Sequence, residues 1–241
     1  MDSLTSVAAS GLRARMESLD LLANNVANAS TGGYKADREF YSLYIGPEAQ
    51  SDSSATMPVI ESPWIDLSQG LLQPTGNSLD LALSGKGFFT VSGPHGSLYT
   101  RNGNFHLSKG QLVTAEGYPV TQAGGQALTL PGSSPLDVSS DGSVLQDGNL
   151  IGQLQIVDFP AAALAKQGAN YFRVTDPGAT PAAVAATGVE QGKLEASNAG
   201  GAEGAVRLVG LLRQFEMLQK AVSLGSDMNK QAIEQVAKPG I

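Results

Sequence analysis

The chain contains no cysteine, which removes disulfides, thiolate metal sites and thiol nucleophiles at once. Histidine is almost as scarce: His95 and His106 are the only two, too few for a His-based zinc site. Aromatic residues make up 6% of the chain and Trp64 is the sole tryptophan, so the aromatic platforms of a carbohydrate-binding module are lacking. No run approaches the roughly 20 consecutive apolar residues that a membrane span needs. Met1-Asp2-Ser3 offers no basic segment, and Arg13 and Arg15 interrupt the apolar stretch behind it, which argues against a cleaved secretory signal. If the protein leaves the cytoplasm, another route must carry it.

Catalytic motifs are missing as well. Gly85-Lys86-Gly87 is a tight turn rather than a phosphate-binding loop, because the upstream glycine spacing fails and Gly87 stands where a Mg²⁺-binding hydroxyl is required. No G-x-S-x-G elbow occurs. Asp141-Gly142-Ser143 and Asp147-Gly148-Asn149 are fragments of calcium loops without the full ligand series. A hydrolase would need a convergent acid or nucleophile cluster, and none is visible. The expectation is a chain with no catalytic residues, no metal and no cofactor.

What is present is glycine, 29 residues of it in a chain of 241, and a net charge of −7. That length is enough to bury a real core. The charge is unevenly placed. In residues 1–38, Asp2, Glu17, Asp20 and Asp37 cancel Arg13, Arg15, Lys35 and Arg38. Residues 203–241 carry four acids and five bases, so the acidic excess belongs to the middle. Such a surface repels nucleic acid and anionic lipid, and neither is an expected partner.

The two ends share one pattern. Leu208, Leu211, Leu212, Phe215, Leu218 and Val222, followed by Ile233 and Val236, recur every three or four residues, the period of one helix stripe. Leu4, Val7, Leu12, Met16, Leu19, Leu22 and Val26 repeat the design at the start. The first helix runs to about Ala29, and Ser30-Thr31-Gly32-Gly33 ends it. Three Asn at its end (Asn24, Asn25, Asn28) are poor helix formers, tolerated where an amide bonds across to a neighbour.

Between the ends the signal is extended. Phe40, Tyr41 and Tyr44 mark a short aromatic run, and Gly46 to Pro63 has the composition of a mobile linker. From Trp64 to about Val189 short alternating runs follow, separated by Asn102-Gly103, Lys109-Gly110, Asp141-Gly142 and Asp147-Gly148, all good hairpin chemistry. This spacing predicts an antiparallel sandwich or barrel. The fold class is therefore α+β, amphipathic terminal helices around a central all-β domain. Expected boundaries are an N-terminal helix at 1–30, an extended segment and linker at 31–77, a β domain at 78–187, a return segment at 188–203 and a C-terminal helix at 204–241. Gly32, Gly33, Gly85 and Gly87 are expected at backbone-determined turns.

Three motifs resemble a known family. Ala23-Asn24-Asn25-Val26-Ala27-Asn28 followed by Thr31-Gly32-Gly33-Tyr34-Lys35 is similar to the N-terminal signature of bacterial flagellar rod and hook proteins. Leu79-Asp80-Leu81-Ala82-Leu83, Gly85-x-Gly87-Phe88-Phe89 and Tyr99-Thr100-Arg101-Asn102-Gly103-Asn104-Phe105 resemble its central β-motif. Leu194-Glu195-Ala196-Ser197-Asn198 and the last helix resemble its C-terminal signature. Met1-Asp2, Ala36-Asp37-Arg38-x-Phe40 and Arg213-Gln214-Phe215-Glu216-Met217 look most like the proximal rod members, with the distal rod members next. One departure is Ala199-Gly200-Gly201, where the family usually has an apolar residue or Asn, which puts the rigidity of the helix start in doubt.

The resemblance implies a structural, non-enzymatic subunit of the basal body, sited in the periplasmic rod and exported through the flagellar type III channel. The terminal helices would pair as a coiled coil lining a hollow rod. Segments 31–77 and 188–203 would form an intermediate layer, with the β domain facing outward. Partners would be copies of itself, neighbouring axial proteins and, in transit, the export apparatus. The assembly interface would comprise Leu12, Leu19, Leu22, Asn24, Asn25, Val26 and Asn28 with Leu208, Leu212, Phe215, Leu218 and Val222.

Overall fold

A computed structural model describes residues 3–45, 56–132, 134–168, 170–176, 178–184 and 187–236. Helix α1 spans Ser3–Ala27 and α2 spans Gly201–Val236. Among the described residues between them are seventeen short strands: β1 Asp37–Ile45, β2 Thr56–Ile65, β3 Leu72–Pro74, β4 Leu81–Ser84, β5 Phe88–Gly93, β6 Gly96–Thr100, β7 His106–Ser108, β8 Gln111–Val113 and β9 Leu136–Val138, then β10 Ser143–Gln146, β11 Asn149–Gln153, β12 Ile156–Asp158, β13 Leu164–Lys166, β14 Tyr171–Val174, β15 Ala182–Ala183, β16 Gly188–Gln191 and β17 Lys193–Glu195. The chain divides into two compact units. The helical unit comprises Met1–Ala27, Asp37–Trp64 and Gly200–Ile241, and the β unit comprises Asn28–Ala36 and Ile65–Ala199.

The β unit is a set of antiparallel sheets. The largest has the order β13-β14-β6-β5-β12-β15, and β11-β10-β9 forms a second. Successive side chains of a strand point to opposite faces, so a strand buried on both faces reads as consecutive apolar residues. Phe88-Phe89 and Tyr171-Phe172 are such doublets. Phe89 and Tyr171 enter the larger core with Leu81, Leu112, Val120 and Val144. Phe88 and Phe172 enter a smaller one with Phe159 and Leu164. Phe88 and Phe172 stack at 5.1 Å, and Phe89 meets Phe105 edge-on at 5.3 Å.

Turn chemistry holds at three of the four expected hairpins, Asp141-Gly142 closing β9–β10. Lys109-Gly110 and Asp147-Gly148 have positive φ at both residues and close β7–β8 and β10–β11. Asp141-Gly142 turns through an Asx bond, the Ser143 N–H donating to Asp141 Oδ1 at 3.0 Å. Asn102-Gly103 is not a hairpin: it leads from β6 into β7, and Gly103 is glycine because its backbone lies against the Leu81 carbonyl, from which the Leu81 N–H partner bond to Gly103 O (3.0 Å) follows. The run from Leu136 to Leu145 splits into β9 and β10, which pair with each other.

In the helical unit α1 and α2 pack together and β1 packs on α1. The linker composition of residues 46–63 misleads in part, since β2 begins at Thr56 and pairs with β1. Residues 46–55 of that segment lie outside the described residues.

Candidate assembly interface and the clamp of the beta unit

On α2 the least exposed positions are Gly204, Leu208, Leu211, Phe215, Leu218 and Val222, spaced alternately by four and three. That alternation is the seam of a helix packed lengthwise on another. Gly204 permits close approach, for a Cβ there would stand 2.8 Å from the Val26 side chain of α1. Among the described side chains of α1 the fully buried positions are the small residues Ala14 and Ser18, flanked by half-buried Leu12, Leu19, Leu22 and Val26; Leu4 and Val7 lie outside the described side chains. Two stripe positions behave otherwise: Met16 is 54% exposed and Leu212 45% exposed. Met16 stands two residues from both Ala14 and Ser18 and so lies on the far side of α1, and Leu212 follows directly on Leu211, about 100° round the helix.

The asparagine cluster has distinct roles. The Asn25 side chain pairs with the Asp37 backbone as a strand would, donating to its carbonyl at 2.8 Å and accepting its N–H at 2.9 Å. This fastens the end of α1 to the start of β1. Asn28 opens the following turn, its carbonyl accepting the Thr31 N–H at 3.1 Å, while Asn24 is exposed. Glu39 of β1 links both helices, accepting from Ser18 and forming an ion pair with Arg207 at 2.6 Å.

Within the β unit, residues 28–36 form a strap and residues 193–199 a return segment, and the two clamp each other. The Gly33 N–H donates to the Glu195 carbonyl at 2.7 Å, which positive φ at Gly33 makes possible. Asn170 donates to the Gly32 carbonyl at 2.8 Å, and Lys166 lies over the Tyr34 ring at 4.3 Å. Asn198 accepts the Ala36 N–H at 2.7 Å and donates to the Asp66 carbonyl at 2.7 Å, and the Asp66 N–H closes the ring on the Ala36 carbonyl at 2.9 Å. Three of the four places where the chain joins this unit, beside Ala36, Asp66 and Asn198, are thus tied together. Gly85 and Gly87 have positive φ, whereas Gly32 does not.

Under the strap lies a buried ion cluster. The Lys35 ammonium donates to Glu195 Oε1 at 2.6 Å and to the Ser68 carbonyl at 2.7 Å. The Arg101 guanidinium reaches Glu195 Oε2 at 3.3 Å and donates to the Gly85 carbonyl. The Gly70 N–H adds a bond to Glu195 Oε1 at 2.8 Å. Burial pushes the Lys35 ammonium below its ordinary pKa although the Glu195 carboxylate pulls the other way, and burial lowers Arg101 likewise. Sequence reading singled out none of these three charges, and only their places inside three separate motifs hinted at them. The arrangement offers cohesion, with no open carboxylate or nucleophile. Among the described residues no group of His, Asp and Glu could hold a metal ion, and no helix is long and apolar enough to cross a membrane.

Comparison with known proteins decides the family. The profile described as "Flagella basal body rod protein" matches residues 6–35, and that described as "Flagellar hook protein FlgE/F/G D1 domain" matches residues 82–146. The chain is 32% identical to the flagellar basal-body rod protein FlgF of Caulobacter vibrioides over 99% of both chains. The chain belongs to the flagellar basal-body rod protein family. It is also 30% identical to the flagellar basal-body rod protein FlgG of Buchnera aphidicola from Acyrthosiphon pisum, over 92% of this chain and 95% of the relative. A third relative, FlgF of Salmonella typhimurium, is 30% identical over 83% and 85%. Membership makes the chain a non-enzymatic structural subunit of the flagellar axis. The rod-protein profile covers α1 and the strap, and the D1 profile covers most of the larger core.

Proposed function

We propose that the chain is a proximal rod subunit, a relative of FlgF that polymerises through its terminal helices into a hollow periplasmic shaft. One observation carries the assembly reading. Val206, Met217, Leu224 and Met228 line the side of α2 away from the seam, Val209 and Leu212 lie between that side and the seam, and this chain leaves all six exposed. A single chain that keeps so much large apolar surface on one helix calls for neighbours to cover it. Copies of the same subunit and adjoining axial proteins are the occupants, and the two helices then become a coiled coil at the axis. A head-to-tail contact that does not close into a ring yields a helical filament, the form a torque-transmitting rod requires. Passage through the flagellar export channel would deliver the chain.

The FlgF assignment is supported by the alignment that runs over 99% of both chains. A distal rod role is the second reading, favoured by FlgG relatives at 29–31% identity. Electron microscopy of basal bodies from a deletion strain separates them. Loss of motility with rods that stop short of the distal segment is expected. Rods complete up to the hook junction would move the assignment to the distal rod, and intact hooks and filaments would remove both.

A further inference from the structure

The buried cluster around Glu195 has an uneven charge count. Two cations, Lys35 and Arg101, have side chains 0% and 3% exposed, and both pair with one fully buried carboxylate. Asp66 attracts Lys35 and Asp158 attracts Arg101, each more weakly than Glu195 does. The three partners come from the strap, the end of β6 and the return segment, so Lys35 and Glu195 are 160 positions apart. Neither cation can be buried cheaply before Glu195 arrives, since an uncompensated charge in an apolar interior carries most of its desolvation cost.

We propose that Glu195 is a folding latch: docking of the strap and closure of the β unit around Arg101 both wait for the return segment. A chain is made from its N-terminus, so the strap and Arg101 exist long before Glu195 does. Until then the charges hold that region open, and the β unit forms only when the last part of its own sequence is present. The carboxylate performs a task that shape alone does not, because it neutralises two segments at once. Its oxygens are divided between them, Oε1 on Lys35 and Gly70, Oε2 on Arg101.

The latch makes the three charges unequal. Lys35→Met leaves Arg101 and Glu195 as a matched pair, whereas Glu195→Gln keeps the shape and strands two adjacent cations. Hydrogen exchange of the full-length chain, read by mass spectrometry, tests this. In Glu195→Gln, amides of residues 28–36, 66–70, 81–85 and 99–103 should exchange together, faster by ~100-fold or more. In Lys35→Met the acceleration should stay under ~10-fold. Wild-type exchange in Glu195→Gln, acceleration confined to 193–198, or equal effects of the two variants would each overturn the latch. Should Glu195→Gln fail to fold, the triple variant Lys35→Met/Arg101→Met/Glu195→Gln decides. Recovery of a folded β unit supports the electrostatic latch, and failure of the triple variant overturns it.

Discussion

Gly32 and Gly33 are neighbours with opposite tolerances. Gly33 has φ of 68°, and a Cβ there would overlap the Asn102 backbone. Gly32 has no such φ, and its Cβ would meet Asn102 Oδ1 at an ordinary 3.4 Å. Gly33→Ala should therefore cost ~1–2 kcal/mol from φ alone, with the overlap added. Gly32→Ala should change the urea midpoint little, and equal losses in the two variants would contradict this. A second residue-scale prediction concerns pH. Burial first, and then donation to the Glu116 carboxylate, push the Tyr171 phenol well above its usual range. A group whose folded pKa is raised contributes stability that is complete below the unfolded value, about 10 for Tyr, and is lost as pH climbs past it. Tyr171→Phe should thus lose stability less steeply than the wild type between about pH 9.5 and 11, measured by urea denaturation. Parallel curves would show that Tyr171 plays no part. Glycine positions of this kind were legible in the sequence as turn signals. The Lys35–Glu195–Arg101 cluster was not, because no local pattern pairs charges across 160 positions.

At the scale of elements, α2 carries two apolar faces, and two substitutions separate them. Phe215 lies in the seam toward α1, and Leu212 lies at its edge, 45% exposed. Phe215→Asp places an unpaired charge in the seam, costing several kcal/mol there, and should loosen the helices while the β-unit melting transition stays put. Leu212→Asp should leave the isolated chain's circular dichroism unchanged and abolish swimming in a complemented deletion strain. Full complementation by Leu212→Asp would show that its face touches nothing in the rod. The period of both helices could be read from sequence, but the division of one broad stripe into two faces could not, since it depends on which neighbour α1 covers. Strand doublets such as Phe88-Phe89 were legible as strands. Their burial on both faces became evident only from the sheet order. β2 was hidden because Ser, Pro and Asp in residues 46–63 carry the composition of a linker.

For the whole molecule the division into two units sets the expectation for the free subunit. The β unit holds two apolar cores and a closed hydrogen-bonded clamp. The helical unit instead leaves a long helix with large apolar residues uncovered, and helix pairs of that kind gain most of their stability from packing. Limited proteolysis of the purified chain should remove α1 and α2 first. The resistant material should retain both the strap, 28–36, and residues 65–199. Helices that resist cleavage as long as the β unit does would refute this, as would a stable fragment lacking the strap. Sequence motifs marked the order of segments from end to end, yet the strap looked like a passage between domains. It belongs to the β unit because its backbone groups at Gly32, Gly33 and Ala36 and the buried Lys35 side chain all bond to distant parts of that unit.

The ring of bonds among Ala36, Asp66 and Asn198 has a consequence for how such a subunit can change over time. Three of the four crossings of the chain into and out of the β unit share one fixed footing. Surface turns of the β unit that touch neither the clamp nor the ion cluster can therefore lengthen or shorten without altering the spacing of those three crossings. An insertion at the Asp147-Gly148 turn, which closes β10–β11, leaves that footing untouched. Grafted peptides or reporter domains can be carried at such a turn by a subunit whose footing and helices are untouched.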